Sequence, residues 1–311
     1  MEEYLWAEKY RPKTISDCIL TDDLKQTFQQ FVNDRNVPNL LLSGGPGVGK
    51  TTVAKAMLDE LGADYIVING SMNGNIDTLR NEIKDFASTM SFAGGRKYVI
   101  LDEADYLNPQ STQPALRNFM EEFSKNCGFI LTCNFKNRII EPLHSRCSVV
   151  EFNIPKSERP KVASQFYKRV VDILSSEHIE FDNKVVAKMV ESHFPDFRRV
   201  LNELQRYSAV GKIDSGILAN TGDVSIEELV KHLKAKSFTE VRKWVAHNSD
   251  TDTSAIFRKL YDVANEKMKP HSVAQLVLIL ADYQYKAAFV ADQEINMVAC
   301  MTEIMANCEF E

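Results

Sequence analysis

The sequence feature that most constrains the fold is a glycine-rich loop, Gly44–Thr51, with the sequence GGPGVGKT. It stands between an apolar run at 40–42 and a helical pattern at 53–61. In such a loop the glycines let backbone N–H groups turn toward phosphate oxygens, and the helix N-terminus adds positive charge. We expect Lys50 to reach the terminal phosphates and Thr51 to ligate magnesium. A turn that merely connects strand to helix is the alternative, but the flanking elements favour a nucleoside-triphosphate site.

Length and composition narrow the class of protein. With 311 residues, 44% of them hydrophobic, the chain is expected to be a soluble protein of about two or three domains. The net charge of −6 argues against a protein that coats nucleic acid by bulk positive charge. The six cysteines form no C-x-x-C pair, so we expect reduced thiols and no zinc or disulfide framework. No targeting or membrane-spanning segment is found, which predicts a cytoplasmic protein.

Further apolar runs alternate with helical patterns, which is typical of a parallel α/β sheet. The first of these runs, Tyr65–Asn69, is expected to be a buried parallel strand. A helix near Ile76 is expected to place Met90 on its apolar face, together with Leu79 and Ile83. The remaining predicted strands are Tyr98–Glu103, Gly128–Asn134 and Val149–Phe152.

Polar side chains end two of these runs. Asp102 is expected to hold magnesium and Glu103 to polarise the water that attacks the γ-phosphate. Asn134 is a candidate to orient that water or to contact the γ-phosphate. Two adjacent acids can also simply cap a strand, and an asparagine can simply form an Asx turn.

Two other stretches carry chemistry and leave two interpretations open. The arm Trp6–Pro12 either folds over a nucleotide base or acts as an N-terminal tether. Arg146, in the short connection before the last strand, is expected by default to bond nearby helix carbonyls. In the helix that carries Leu116, we expect Gln113 and Arg117 to face away from the core, and Arg117 can pair with Glu121.

We predict three domains. Residues 1–152 form a nucleotide-binding α/β domain, residues 153–222 a small helical lid, and residues 223–311 an all-helical collar that serves oligomerisation.

The motifs together resemble those of the AAA+ ATPases that load sliding clamps in DNA replication. Among these, the large subunit of T-even-type bacteriophage loaders is the nearest in pattern, and the small subunits of replication factor C come second. The resemblance spans residues 6–210. If the chain is encoded by a phage, the resemblance implies that the protein acts in the cytoplasm of the bacterial host. It is carried by Glu8–Pro12, Gly44–Thr51, Asn69–Ser71, Asp102–Asp105, Thr132–Asn134, Ser145–Cys147 and Asp196–Arg199.

The resemblance implies a role for each matching residue. Lys50, Asp102 and Glu103 would be catalytic, Asn134 the first sensor and Arg198 the second. Arg146 would be an arginine finger that enters the ATP site of a neighbouring subunit in trans. Thr51 and Asp102 would bind Mg2+. The residues that would bind ATP are Tyr10, Arg11, Pro12, Gly45, Gly47, Val48, Gly49, Lys50, Thr51 and Thr52.

The resemblance also implies contacts with DNA and with the clamp. Arg80, Lys84 and Thr112 are candidates for the phosphate backbone of primer–template DNA. Gln113 and Arg117 are candidates to couple the ATP sites to DNA. A basic residue usual in the turn after the second strand is missing, and Asn75 is a weaker substitute. The apolar tip, Met90 and Phe92, is a candidate clamp contact.

The expected function is that of an ATPase subunit of a clamp loader. Its expected partners are the clamp, primer–template DNA, further copies of itself and a different small subunit, in a pentamer without a membrane. The alternatives are an AAA+ helicase or remodelling ATPase, and a structural subunit that binds nucleotide without hydrolysing it.

Overall fold

The computed structural model describes residues 5–72, 76–91, 94–209, 211–214, 226–248, 253–287 and 289–310. The chain divides into two compact units, residues 1–215 and 216–311. The expected domain boundary at 152–153 lies inside the first unit, and the one at 222–223 lies outside the described residues. The division into three domains therefore stays a prediction.

A parallel sheet of five strands forms the centre of the first unit, in the spatial order β2-β3-β4-β1-β5. The α/β fold predicted from the alternating pattern is confirmed. Because all five strands are parallel, their carboxyl ends meet at one edge, where polar residues can converge. The strands are β1 (Leu40–Ser43), β2 (Tyr65–Asn69), β3 (Lys97–Asp102), β4 (Cys127–Cys133) and β5 (Ser148–Glu151).

Helices cover this sheet and connect its strands. The apolar positions of β1, β3 and β4 are fully buried, and two clusters of buried side chains lie on the two faces of the sheet. The helices are α1 (Trp6–Lys9), α2 (Asp22–Asn33), α3 (Lys50–Leu61), α4 (Ile76–Ser88), α5 (Thr112–Glu122) and α6 (Glu141–His144).

Two expectations about burial are wrong. Strand β2 lies at the sheet edge, and Val67 in its middle is 41% exposed, because only one side of the strand has a hydrogen-bonded neighbour. Met90 follows the end of α4 and is 90% exposed, so it does not continue the buried row of Leu79 and Ile83. This exposure leaves Met90 available as a surface contact.

The lid region follows β5 within the same unit. Its helices are α7 (Arg159–Ser176), α8 (Asn183–His193) and α9 (Phe197–Ser208). The region expected to be a small helical lid also contains one short strand pairing, in which Glu180–Phe181 lies parallel to Lys212–Ile213. The α9 helix is capped by Asp196, whose carboxylate accepts from the Arg199 N–H at 3.0 Å.

The second unit is helical, as predicted, around its own core of Leu229, Trp244, Leu260, Leu276 and Ile304. Its described helices are α10 (Ile226–Lys234), α11 (Phe238–His247), α12 (Thr253–Lys267), α13 (Pro270–Ala287) and α14 (Gln293–Asn307). None of the helices in the described ranges combines the length and the apolar character needed to cross a bilayer.

Candidate active site

The glycine-rich loop leaves β1 and leads into α3, as its sequence predicts. Gly47 and Gly49 have φ angles of 69° and 97°, which are left-handed values that side chains disfavour. Gly49 is the residue immediately before α3, so the loop ends at the positive end of that helix. This geometry suits an anionic ligand.

Lys50 is buried at the head of α3, with 8% of its surface exposed. Its ammonium donates to the carbonyls of Gly44 and Gly45, each at 2.7 Å, and to Asn134 Oδ1 at 2.9 Å. Burial lowers the pKa of Lys50, because the charged form loses water. The residues at the ends of β1 and β4 therefore meet at one lysine.

A second set of bonds converges on the carboxylate of Asp102 at the end of β3. The hydroxyls of Thr51 and Thr132 both donate to Asp102 Oδ1, each at 2.6 Å. A hydroxyl and a carboxylate that lie side by side are oxygen donors of the kind Mg2+ prefers. Thr51 and Asp102 thus fit the predicted metal role.

Glu103 follows directly and has a left-handed backbone, with φ of 56°. For a non-glycine residue this conformation costs about 1–3 kcal/mol, so its surroundings must hold it in place. Its N–H donates to Thr132 Oγ1 at 3.1 Å, and its carbonyl accepts from the Tyr106 N–H at 3.0 Å. A Cβ at Gly70 would lie 2.6 Å from that carbonyl, so a glycine is required there.

Asp105 is a positioning residue that the sequence analysis did not single out. It is buried, and its Oδ2 accepts from the N–H groups of Asn134 and Phe135, each at 3.2 Å. The carboxylate thus fixes the backbone that carries the predicted first sensor. Its position in the Asp102–Asp105 motif was the sequence feature that could have identified it.

The lid reaches the loop directly. The Phe197 N–H donates to the Gly47 carbonyl at 3.1 Å. The lid also leaves no space for a side chain at position 47, since a Cβ on Gly47 would lie 1.7 Å from Asp196 Oδ1. Arg198, one residue farther along α9, lines the same cavity as Lys50.

The N-terminal arm borders this cavity, as predicted for Tyr10, Arg11 and Pro12. Arg11 Nη1 donates to Thr52 Oγ1 at 3.0 Å, and Arg11 Nε donates to Glu8 Oε2 at 2.9 Å. That hydrogen bond lowers the pKa of Glu8. The cavity lining also includes Gly47, Val48, Gly49, Lys50, Thr51, Thr52, Asp102, Glu103 and Asn134.

Arg146 lies outside this cavity lining and within reach of α5. Its Nε donates to Glu121 Oε1 at 3.0 Å, its Nη2 donates to the same oxygen, and its Nη1 donates to the Pro142 carbonyl at 2.9 Å. The carbonyl contact is the one expected by default from the sequence. Arg117 also approaches Glu121, at 3.6 Å, as its spacing predicts.

Two expectations about α5 are wrong. Gln113 does not face away from the core, because it is fully buried. Its Nε2 donates to the carbonyls of Leu107 and Arg138, each at 3.0 Å, and its Oε1 accepts from the Ile140 N–H at 2.8 Å. Buried polar groups are generally hydrogen-bonded, and these three backbone groups satisfy the buried amide of Gln113.

Thr112 is also fully buried, and its N–H donates to the Asn108 carbonyl at 3.1 Å. A fully buried Thr112 cannot contact a DNA phosphate, so the expectation of such a contact is wrong. Arg80 and Lys84 of α4 are exposed, as such a contact requires. Asn75 and Phe92 lie outside the described residues.

Comparison with known proteins agrees with this geometry. A model of the ATPase family associated with various cellular activities (AAA) matches residues 40–155. A model of the AAA+ ATPase lid domain of the sliding-clamp-loader large subunit matches residues 158–219.

Relatives match over nearly the whole chain. The sliding-clamp-loader large subunit of Enterobacteria phage T4 is 35% identical over 100% of this chain and 98% of its own length. The same subunit of Escherichia phage RB69 is 38% identical over 88% of this chain and 92% of its own. The replication factor C small subunit of Sulfurisphaera tokodaii is 32% identical over 97% and 95%.

Among solved structures, the RuvB P216G mutant of Thermotoga maritima aligns with a TM-score of 0.54 and 18% identity, over 72% of this chain and 79% of that one. At this identity the likeness concerns the fold alone. The full-length relatives and the lid model are more specific, and on them the chain belongs to the family of sliding-clamp-loader AAA+ ATPase subunits.

Proposed function

We propose that this chain uses ATP binding and hydrolysis to open a sliding clamp and to place it on primer–template DNA. One observation carries the catalytic part. Lys50, Thr51, Asp102, Glu103 and Asn134 all line one cavity at the carboxyl edge of the sheet. This is where open parallel sheets bind their ligands.

Each of these residues has a task that its geometry supports. Lys50 supplies positive charge to the β- and γ-phosphates, and Asn134, bonded to Lys50, orients the attacking water. Glu103 accepts the proton of that water as general base. Arg198 extends from the lid toward the same phosphates.

Thr51 and Asp102 would hold Mg2+ through the two oxygens that lie 2.6 Å apart. When bound, the ion neutralises charge that develops on the phosphate oxygens. The chain's own contribution is to hold the two ligands in place, with Thr132 donating to the same carboxylate oxygen as Thr51.

Arg146 acts on the ATP of an adjacent subunit. It lies outside the lining of the cavity in its own chain and is held at the surface by Glu121 and Pro142. A guanidinium supplied across an interface makes hydrolysis depend on assembly.

The assembly we propose is a pentamer of several copies with one different small subunit. The second unit exposes large apolar side chains that suit contacts between subunits, namely Leu278, Tyr285, Phe289 and Ile295, which are 67%, 70%, 74% and 68% exposed. DNA is held through its backbone by Arg80 and Lys84, with Gln113 and Arg117 coupling that surface to the ATP site. Met90 contributes to clamp contact.

A mixing experiment tests the trans arrangement. Arg146→Ala and Glu103→Gln proteins are assembled separately and together with the partner subunit, clamp and primed DNA of the same replication system, and ATP hydrolysis is measured. Each variant alone should be nearly inactive. The mixture should recover activity, because an intact Glu103 site then receives Arg146 from its neighbour.

Absence of recovery in the mixture, with wild type active under the same conditions, would contradict the trans role of Arg146. Activity that needs no clamp or DNA and that native mass spectrometry assigns to a hexamer of identical subunits would favour the helicase alternative. Wild-type protein that binds ATP but never hydrolyses it in the assembly would favour the structural alternative.

A further inference from the structure

The N-terminal arm, residues 5–12, contacts both the lid and the glycine-rich loop's helix. At its start, Trp6 is buried, and its backbone N–H donates to Gln205 Oε1 of α9 at 2.9 Å. At its end, Arg11 donates to Thr52 Oγ1 of α3. The arm is therefore a further connection between lid and nucleotide loop, besides the covalent chain segment and the direct bond from Phe197 to Gly47.

Glu177 holds the middle of the arm. It follows the last residue of α7, and its Oε1 accepts from the Tyr10 hydroxyl at 2.5 Å and from Lys9 Nζ at 2.7 Å. A carboxylate at a helix C-terminus is opposed by the helix dipole, so these two donors offset an unfavourable placement. Glu177 itself is absent from the lining of the ATP cavity, whereas Tyr10 is part of it.

The two donors differ in exposure, and they therefore differ in how strongly they hold Glu177. The Lys9 side chain is 49% exposed, and an ion pair at such a site contributes little, because water and salt compete for both groups. The Tyr10 hydroxyl is half-buried and its bond is short. The bond from Tyr10 is therefore the one that fixes geometry.

We propose that Glu177 is a positioning residue of the nucleotide site, which fixes the Tyr10 ring at the base end of the cavity and so sets affinity for the nucleoside part of ATP. The inference rests on the proposed function, since it takes ATP as the ligand. The phosphates would bind at the loop around Lys50, whose described hydrogen bonds involve neither Tyr10 nor Glu177. Loss of Glu177 should therefore weaken recognition of the base and leave recognition of the phosphates unchanged.

The test measures binding of the fluorescent analogue mant-ATP to the full chain, and its displacement by inorganic tripolyphosphate. Glu177→Ala and Tyr10→Phe should each weaken mant-ATP binding by about threefold to tenfold, as expected for one lost hydrogen bond. Glu177→Gln keeps an acceptor and should stay within about twofold of wild type. The double variant Glu177→Ala/Tyr10→Phe should bind no more weakly than either single one, because both remove the same bond.

The affinity for tripolyphosphate distinguishes a positioning role of Glu177 from general damage to the site. Its own affinity should be unchanged in Glu177→Ala, whereas a misfolded site would lose both ligands. Glu180→Ala is the matched control, since Glu180 is an exposed glutamate nearby with only a loose contact to Lys212, at 3.9 Å. In the assembled loader, Glu177→Ala should raise KM for ATP and keep kcat within about twofold.

Wild-type mant-ATP affinity in Glu177→Ala would overturn the inference, and so would additive losses in the double variant or an equal loss of tripolyphosphate affinity. In each of these cases wild-type hydrolysis would still stand, so the proposed function would survive. Wild-type protein that bound no mant-ATP would overturn both.

Discussion

The cavity around Lys50 and the surface around Arg146 both present cations for phosphate chemistry, but they hold them differently. Lys50 is 8% exposed and bonded to two backbone carbonyls and to Asn134. Arg146 is held mainly by Glu121, a side chain that is 53% exposed. The group proposed to act on the chain's own ATP is thus fixed by the fold, whereas the group proposed to act on a neighbour's ATP is held by contacts that a new partner can replace.

This difference predicts large effects of substitution in the cavity and small effects at the partner of Arg146. The first and largest expected effect is that of Glu103→Gln. The amide cannot accept the water proton, so ATP hydrolysis should fall by about 10²–10⁴-fold, the usual contribution of a general base. Mant-ATP binding should be retained, because the hydrogen bonds described for Glu103 are to Thr132 and Tyr106 and none of them is to the glycine-rich loop. Hydrolysis within about twofold of wild type would exclude Glu103 as the base.

Thr132→Val should have the second largest effect. It removes the hydroxyl that orients Asp102 and leaves the Glu103 N–H without its acceptor. We expect the free energy of unfolding of the first unit to fall by roughly 1–3 kcal/mol, the usual cost of an unsatisfied buried group. Thermal unfolding measures this change, and the hydrolysis rate should fall in parallel. Thr132→Ser keeps the hydroxyl and is the control, and equal behaviour of the two variants would contradict the prediction.

Glu121→Gln should have a smaller effect. It removes the charge that holds Arg146, and exposed ion pairs contribute about 0.2–1 kcal/mol, so hydrolysis in the assembly should fall by about twofold to fivefold. The difference from wild type should shrink as salt rises, since salt screens the pair. Glu122→Gln, one residue along α5, is the control. An increase in hydrolysis would instead mean that Glu121 restrains Arg146.

The last prediction concerns pH, and its effect is the smallest near neutrality. Burial lowers the pKa of Lys50 from its ordinary value of 10.5, and a bound triphosphate raises it again by favouring the charged form. ATP affinity should therefore be flat near neutral pH and fall as pH rises through the pKa of the free protein, by at most about tenfold per pH unit. Titrations with mant-ATP between about pH 7 and pH 10 measure the slope. In Lys50→Arg the slope should vanish, and an unchanged slope would assign it to another group.

The candidate catalytic cluster could be predicted because the patterns that indicate it are local in the sequence. An apolar run followed by a polar residue marks where a parallel strand ends, and parallel strands end at one edge. Lys50, Asp102 and Asn134 could therefore be brought together without knowledge of the strand order. Glu103 could be named as a candidate base, but its left-handed backbone could not be foreseen.

The errors arose where a side chain bonds to backbone far away in the sequence. Periodicity assigns Gln113 to a solvent face, yet three backbone groups around it favour burial. The same limit applies to Glu177, which is separated from Tyr10 by 167 positions and carries no motif of its own. Edge strands pose a related problem, since the composition of β2 does not reveal that only one side is paired.

The conformation of Glu103 has a consequence for substitution at this position. Its backbone φ of 56° is an angle that glycine adopts readily and that other residues disfavour. A Glu103→Gly protein would therefore lose the carboxylate without added strain in the turn. Loss of turnover in such a protein would report on the missing carboxylate and not on a distorted backbone.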